Sequence, residues 1–299
     1  MKTFTHKLKS EYLGHGIAVL FGVFIILLTI SIFGFLIYKG GASFWTHGHS
    51  VWQFLFSTDW NPADLDNSGT IGSAVFIYGS IVISGLGLLI ATPFAVATSI
   101  FINDISPKLG KRLLRPATEI FVGIPSVVYG WIGFTVLVPF INLLFHPPAQ
   151  GYSVLAGGIV LAVMIFPTIT SVSADAIANT PSEYKEAAYG LGATRWQMIW
   201  RVKLKAALPG ILTGVVLGLA RAFGEALAVA MVIGRQDRLP TTILSATGNL
   251  TSKITSDMGN TVTGSDWNDA LWAMALLLFV ISMIFIIVIR IIGKRGEQK

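Results

Sequence analysis

The chain has 299 residues, of which 53% are hydrophobic and 12% charged, and its mean hydropathy is +0.70. A soluble domain carries about twice that share of charge, so a water-soluble fold is excluded and a membrane protein is expected. The absence of cysteine excludes disulfides, thiolate metal sites and cysteine catalysis, and the net charge of +6 reflects membrane topology, argued below, and no nucleic-acid partner.

A helix needs about 20 apolar residues to cross roughly 30 Å of hydrocarbon, and six stretches qualify. The first, Gly16 to Tyr38, is uncharged and lacks a small-residue cleavage pattern, so it reads as a retained anchor and not a signal peptide. Residues 40–71 read as external. Their first part, "FWTHGHSVWQFLF", is an interfacial aromatic segment and their second, "STDWNPADLDNSGT", is polar and turn-forming. His47 and His49 have the chemistry of metal ligands, but with no further ligand motif they read as solvated loop histidines. Residues 1–70 thus form an expected N-terminal anchor and external segment, 71–292 a core of five further spans, and 293–299 a cytoplasmic tail.

The second span, Ser73 to Ile102, carries Ser80, Ser84, Gly85 and Gly87, small residues that let helices approach closely, and Pro93, a potential kink. "VGIPSVVYGWIGF" opens the third, Ile120 to about Phe145; the fourth is Val154 to about Thr170. Residues 171–205 are the longest internal segment. Thr180, Pro181 and Glu183 have the form of a capping box with proline at the first helical position. "EYKEAAYGLGATRWQMIWRVKLK" then predicts two amphipathic helices joined at Gly190 and Gly192, or else a solvated connector. The fifth span, about Leu208 to Gly234, contains Arg221 and Glu225; the sixth is Ala270 to Ile289.

Sixteen lysines and arginines flank one side of these spans and four (Lys39, Arg235, Arg238, Lys253) the other, which places both termini in the cytoplasm. Arg221 stands alone inside a span. Its place at the centre of Leu208 to Gly234 predicts a midplane position, where an ionised side chain costs about 2.5–3.5 kcal/mol on insertion scales and must face protein or water. Glu225, four residues on, is expected on the same helical face. One reading makes the two a structural pair holding helices together. The other has Arg221 attract an oxyanion through its planar fork, with Glu225 orienting it and competing for it so that the anion is released. Gly210, Gly214 and Gly218 form a stripe on which another helix can pack. No P-loop occurs, so any ATP is hydrolysed elsewhere. An intramembrane enzyme would have only Ser126 and Glu225 to work with, and a gated channel would leave residues 171–205 without a purpose.

Those residues carry a resemblance. Glu186, Ala187, Ala188 and Gly192, with Val202 and Leu204 at the expected spacing, are similar to the EAA loop of bacterial ABC-importer permeases; Lys205 stands where the family has proline, and Pro209 follows one turn later. The resemblance implies an all-helical permease with six transmembrane helices of the MetI-like type, without cofactor or enzymatic activity. Its coupling segment, started by Thr180, Pro181 and Glu183, docks through Glu186, Ala187, Ala188 and Gly192 into an ATPase. "GIPSVVYG" and "ARAFGEALAVAMVIG" further resemble the phosphate-specific permeases of the PstC type. That implies phosphate as cargo, Arg221 and Glu225 in the translocation path, and Pro125 and Ser126 at a pore or gate. The implied partners are a PstA-type permease subunit, two PstB-type ATPases and an external PstS-type phosphate-binding protein, in the plasma membrane of a bacterium. Sulfate or molybdate is the alternative cargo.

Overall fold

The computed structural model describes residues 13–62 and 69–297. Lys2, Lys7, Lys9 and Lys299 of the charge count, and residues 63–68 of the polar external stretch, lie outside the described residues, as do the side chains of Lys294 and Arg295.

Helix α1 (Leu13–Trp45) is followed by the short α2 (Val51–Phe56) and by two strands, β1 (Trp60–Asn61) and β2 (Thr70–Ile71), paired antiparallel with Trp60 opposite Ile71. Helix α3 (Ala74–Ile100) runs on through a π-helical turn, Phe101–Ile105. Next come α4 (Arg115–Gly123), α5 (Ser126–Ile132) and α6 (Val138–Phe145), the last two joined by a π-helical turn. Then follow α7 (Val154–Ala178), α8 (Ser182–Gly190) and α9 (Leu204–Gly224), which is entered through Arg195–Gln197 and a π-helical stretch, Met198–Lys203. The short α10 (Leu227–Ala230) and α11 (Leu250–Asp257) precede α12 (Asp266–Glu297). Six helical stretches are long and apolar enough to span a membrane, so the chain is a multi-pass membrane protein.

The core lies where α3, α7 and α9 meet, and small residues set its spacing. A Cβ at Gly87 would stand 2.9 Å from Leu161 Cβ, one at Gly210 2.4 Å from Ala176 Cβ, and one at Gly218 2.7 Å from the Ile169 side chain. The stripe on α9 therefore packs on α7. Between helices in lipid this close contact replaces the hydrophobic drive available in water. Leu161, Met164, Ile165 and Ile169 of α7 are buried almost completely, which makes α7 the central helix. In contrast α1 is exposed along its apolar length and leans on α12 through ring contacts, Phe33 on Phe279 and Phe35 on Trp272.

Several span limits differ from expectation. The third span starts at Ser126, because Pro125 (φ −58°, ψ 139°) separates α4 from α5. The fourth continues to Ala178, and the sixth begins at Asp266 and ends at Ile291, within α12, which continues to Glu297. The fifth ends at Gly224, ten residues short of Gly234. Pro209 lies within α9 and does not break it.

His47 and His49 are not solvated. His49 Nε2 lies 2.8 Å from Asp266 Oδ1 and His47 Nε2 3.2 Å from Asp269 Oδ2, and both aspartates are buried in the first turn of α12. These pairs tie the end of α1 to the start of α12 across more than 200 residues.

Candidate functional site

Arg221 occupies the last turn of α9, where a positive charge complements the exposed carbonyls of the helix end. Helical side chains lean toward the N-terminus, and its guanidinium accordingly reaches back to α7, where Nη1 donates to Thr168 Oγ1 at 3.3 Å. Thr168 is fourteen residues from Val154 and ten from Ala178, about 21 and 15 Å along α7 at ~1.5 Å per residue. The charge thus sits level with the middle of the central helix, although the centred span used to place it does not exist.

The shared face for Arg221 and Glu225 is corrected by the same break. Glu225 leaves the helix with extended backbone (φ −77°, ψ 119°). Its Oε1 accepts from the Ala228 N–H at 3.0 Å, capping α10, and its carbonyl accepts from Thr251 Oγ1 at 2.8 Å. No ion pair joins the two residues, and among the described residues no carboxylate lies within 4 Å of the Arg221 guanidinium. The guanidinium is half-buried and keeps donors to spare.

The two motifs separated by some ninety residues come together here. A Cβ at Gly130 would stand 2.7 Å from Ala228 Cα, so α5 and α10 touch backbone to backbone. Tyr129, whose hydroxyl donates to the Phe121 carbonyl at 2.8 Å, lies within electrostatic reach of Arg221. Pro125 is exposed and Ser126 half-buried at the α4–α5 break. Thr168 was not legible beforehand, since a threonine after Pro167 carries no motif.

At the opposite end of the bundle, α8 carries Glu186, Ala187 and Ala188. Ala188 is buried against Ile100, Ile177, Met198 and Ile199, whereas Glu186 and Ala187 face outward. The helix stops in a Schellman arrangement: the Ala193 N–H reaches the Ala188 carbonyl at 3.0 Å, the Gly192 N–H reaches the Tyr189 carbonyl at 3.0 Å, and Gly192 takes φ +76°. Gly192 alone makes the bend; Gly190 is the last helical residue. The expected capping box at Thr180 does not form. Pro181 is the N-cap residue and Thr180 Oγ1 donates back to the Ala176 carbonyl at 3.4 Å. The capping box stands instead at Thr194 and Gln197, the T-x-x-Q pattern at the head of the second helix.

Exposed Tyr184, Leu191, Trp196 and Trp200 give this end an apolar surface, with the two indoles edge to face at 5.8 Å. The second helix is clamped to the π-helical end of α3, because Lys203 Nζ meets Asp104 Oδ1 at 2.6 Å and the Arg195 guanidinium donates to the Asp104 and Ile105 carbonyls.

Fold and site define a multi-pass helical membrane protein with an arginine level with the middle of its central helix and a helix–turn–helix bearing an apolar patch. The chain belongs to the family described as binding-protein-dependent transport system inner membrane component, whose sequence profile matches residues 91–297. It is 49% identical over 288 residues to the probable ABC transporter permease protein YqgH of Bacillus subtilis, covering 96% of this chain and 92% of that one. It is 32% identical over 297 residues to the phosphate transport system permease protein PstC of Pasteurella multocida, covering 93% and 90%. Among solved structures, a bacterial ABC transporter involved in import of the acidic polysaccharide alginate has a chain that superposes with a TM-score of 0.64 at 18% identity, covering 98% of this chain and 99% of that one. That likeness concerns the fold.

Proposed function

We propose that the chain is the PstC-type permease subunit of an ATP-driven importer for inorganic phosphate. The observation that carries the reading is Arg221. Its guanidinium is level with the middle of α7, is bound to a threonine hydroxyl, and among the described residues has no carboxylate within 4 Å. A planar fork of donors suits a tetrahedral oxyanion. The named phosphate permeases that align over most of the chain support phosphate over sulfate or molybdate.

The permease supplies the path and no bond chemistry. A PstA-type subunit completes the path from the other side, two PstB-type ATPases hydrolyse ATP on the cytoplasmic face, and a PstS-type protein delivers the anion from outside. Both termini lie in the cytoplasm of a bacterial cell. The exposed apolar surface around Leu191, Trp196 and Trp200, next to Glu186, is the face that receives the ATPase. Closure of the ATPases pushes α8, and the clamp from Lys203 to Asp104 carries that push into α3 and α9 together.

Glu225 has a role other than the one its spacing implied. It fixes the entry to α10 and thereby the backbone opposite Gly130, so it shapes the path beside Arg221 without neutralising it. Uptake of radiolabelled phosphate into proteoliposomes holding the whole complex, with unlabelled phosphate, sulfate and molybdate as competitors, tests the substrate. Competition by phosphate alone is expected; equal competition by sulfate or molybdate contradicts the assignment.

A further inference from the structure

On the face opposite the coupling helices, the chain turns sharply at Gly234 and Arg235, with φ +84° and +49°. Gly234 adopts this conformation freely, but Arg235 does not, because its Cβ crowds the neighbouring carbonyl in the left-handed region. Glycine or asparagine is the expected occupant. The turn is held in place by a bridge between Gly234 and Thr247, whose N–H donates to the Ile233 carbonyl at 3.1 Å. A strained arginine kept on a rigid turn calls for a reason.

Its surroundings supply one. Gly234 and Arg235 line two cavities that meet at the turn. One, of about 480 Å³, is also walled by Trp131, Gln150 and Met231; the other, of about 370 Å³, is walled by Lys253, Ser256 and the carboxylates of Asp237 and Asp257. Lys253 is already committed, at 2.8 Å to Asp237 and 3.1 Å to Asp257. Arg235 is exposed, reaches only Ser256 Oγ at 3.5 Å, and like its exposed neighbour Arg238 has no carboxylate partner among the described residues. Among the described residues, then, Lys253 holds both carboxylates of the cavity wall, and the Arg235 guanidinium is left without an ion pair. The larger cavity also touches Ala230, the last residue of α10, whose other end is capped by Glu225. Arg221 and Arg235 thus stand at the two ends of one segment that runs through α10.

We propose that Arg235 is an anion-reception residue at the mouth of the path, taking a phosphate-sized oxyanion through its guanidinium, with Ser256 at the wall, before the anion moves in to Arg221. The proposal rests on the oxyanion reading above and adds a second binding station to it. The strain is the consequence of placing a cation where the backbone turn requires a glycine-like conformation.

The test uses the whole complex in proteoliposomes with the phosphate-loaded binding protein, reading uptake and ATP hydrolysis against binding-protein concentration. Arg235→Asn and Arg235→Gly remove the charge and suit the turn, while Arg235→Lys keeps the charge. Both neutral variants are expected to assemble normally and to lose roughly tenfold in maximal uptake, with the half-saturating concentration of binding protein unchanged and ATP spent per phosphate increased. Arg235→Lys should retain most of the uptake. Unchanged uptake in the neutral variants overturns the proposal. A raised half-saturating concentration with an unchanged maximum also overturns it, assigning Arg235 to docking of the binding protein. If the wild-type complex carries sulfate or molybdate instead, the phosphate reading fails by itself, and the same variants are scored on that anion.

Discussion

Gly130 of α5 and Ala228 of α10 are in backbone contact: a Cβ on the glycine would lie 2.7 Å from Ala228 Cα and 2.8 Å from Met231 Sδ. The segment after the end of α9 is held beside the third span by this contact. Gly130→Ala must push α10 away, at a cost typical of overpacking, about 1–3 kcal/mol. Gly130→Leu should prevent close approach altogether. A lowered melting temperature of the purified complex for Ala, and loss of uptake for Leu, are the expected results.

Gly192 has open space around its missing Cβ but φ +76°, so conformation and not crowding requires it. Gly192→Asn should be nearly tolerated and Gly192→Val should lose about 1–2 kcal/mol locally, weakening the α8 terminus. ATPase subunits co-purified with the permease should fall for Val and stay near wild type for Asn. Equal association of both variants would remove the bend from the docking surface.

The pair Lys203–Asp104 is mostly buried, at 15% and 6% side-chain exposure, and 2.6 Å long. Removing one partner strands a charge, so Lys203→Met or Asp104→Leu alone should cost up to about 3 kcal/mol, whereas the double variant Lys203→Met with Asp104→Leu should recover much of it. Thermal unfolding of the four proteins gives the coupling energy. If the clamp carries force, the double variant should assemble and hydrolyse ATP yet import less phosphate per ATP.

How far the sequence predicts these features depends on how local their causes are. Span number followed from hydropathy alone, and the α9 stripe from three glycines four residues apart. The EAA helix and its bend at Gly192 followed from a local pattern with a conformational cause. The break after Gly224 did not, because the sequence stays apolar to Gly234 apart from Glu225, while the interruption comes from Glu225 capping α10 and from Thr251 taking its carbonyl, a partner 26 residues away. Helical spacing alone predicts a shared face for Arg221 and Glu225, and the end of α9 at Gly224 removes that geometry. His47 and His49 looked like loop residues because their partners, Asp269 and Asp266, lie at the other end of the chain.

Those histidines lead to a prediction for α1. His49→Phe leaves Asp266, at 2% side-chain exposure, without its partner, and a buried unpaired carboxylate is strongly penalised. The variant should loosen the junction of α1 with α12, seen as faster proteolysis near residues 46–50, and the added change Asp266→Asn should restore protection.

The most direct test of the central claim is phosphate uptake by the complex carrying Arg221→Gln, with Arg221→Lys and Glu225→Gln beside it. If Arg221 offers an unneutralised charge to the anion, Arg221→Gln abolishes uptake while yield and basal ATP hydrolysis persist, and Arg221→Lys, keeping the charge but losing the fork, is intermediate. Glu225→Gln should then impair uptake without any rescue by Arg221→Gln, because the two residues share no ion pair. Near-normal uptake by Arg221→Gln, or recovery of uptake in the variant with glutamine at both positions, would contradict the role assigned to Arg221.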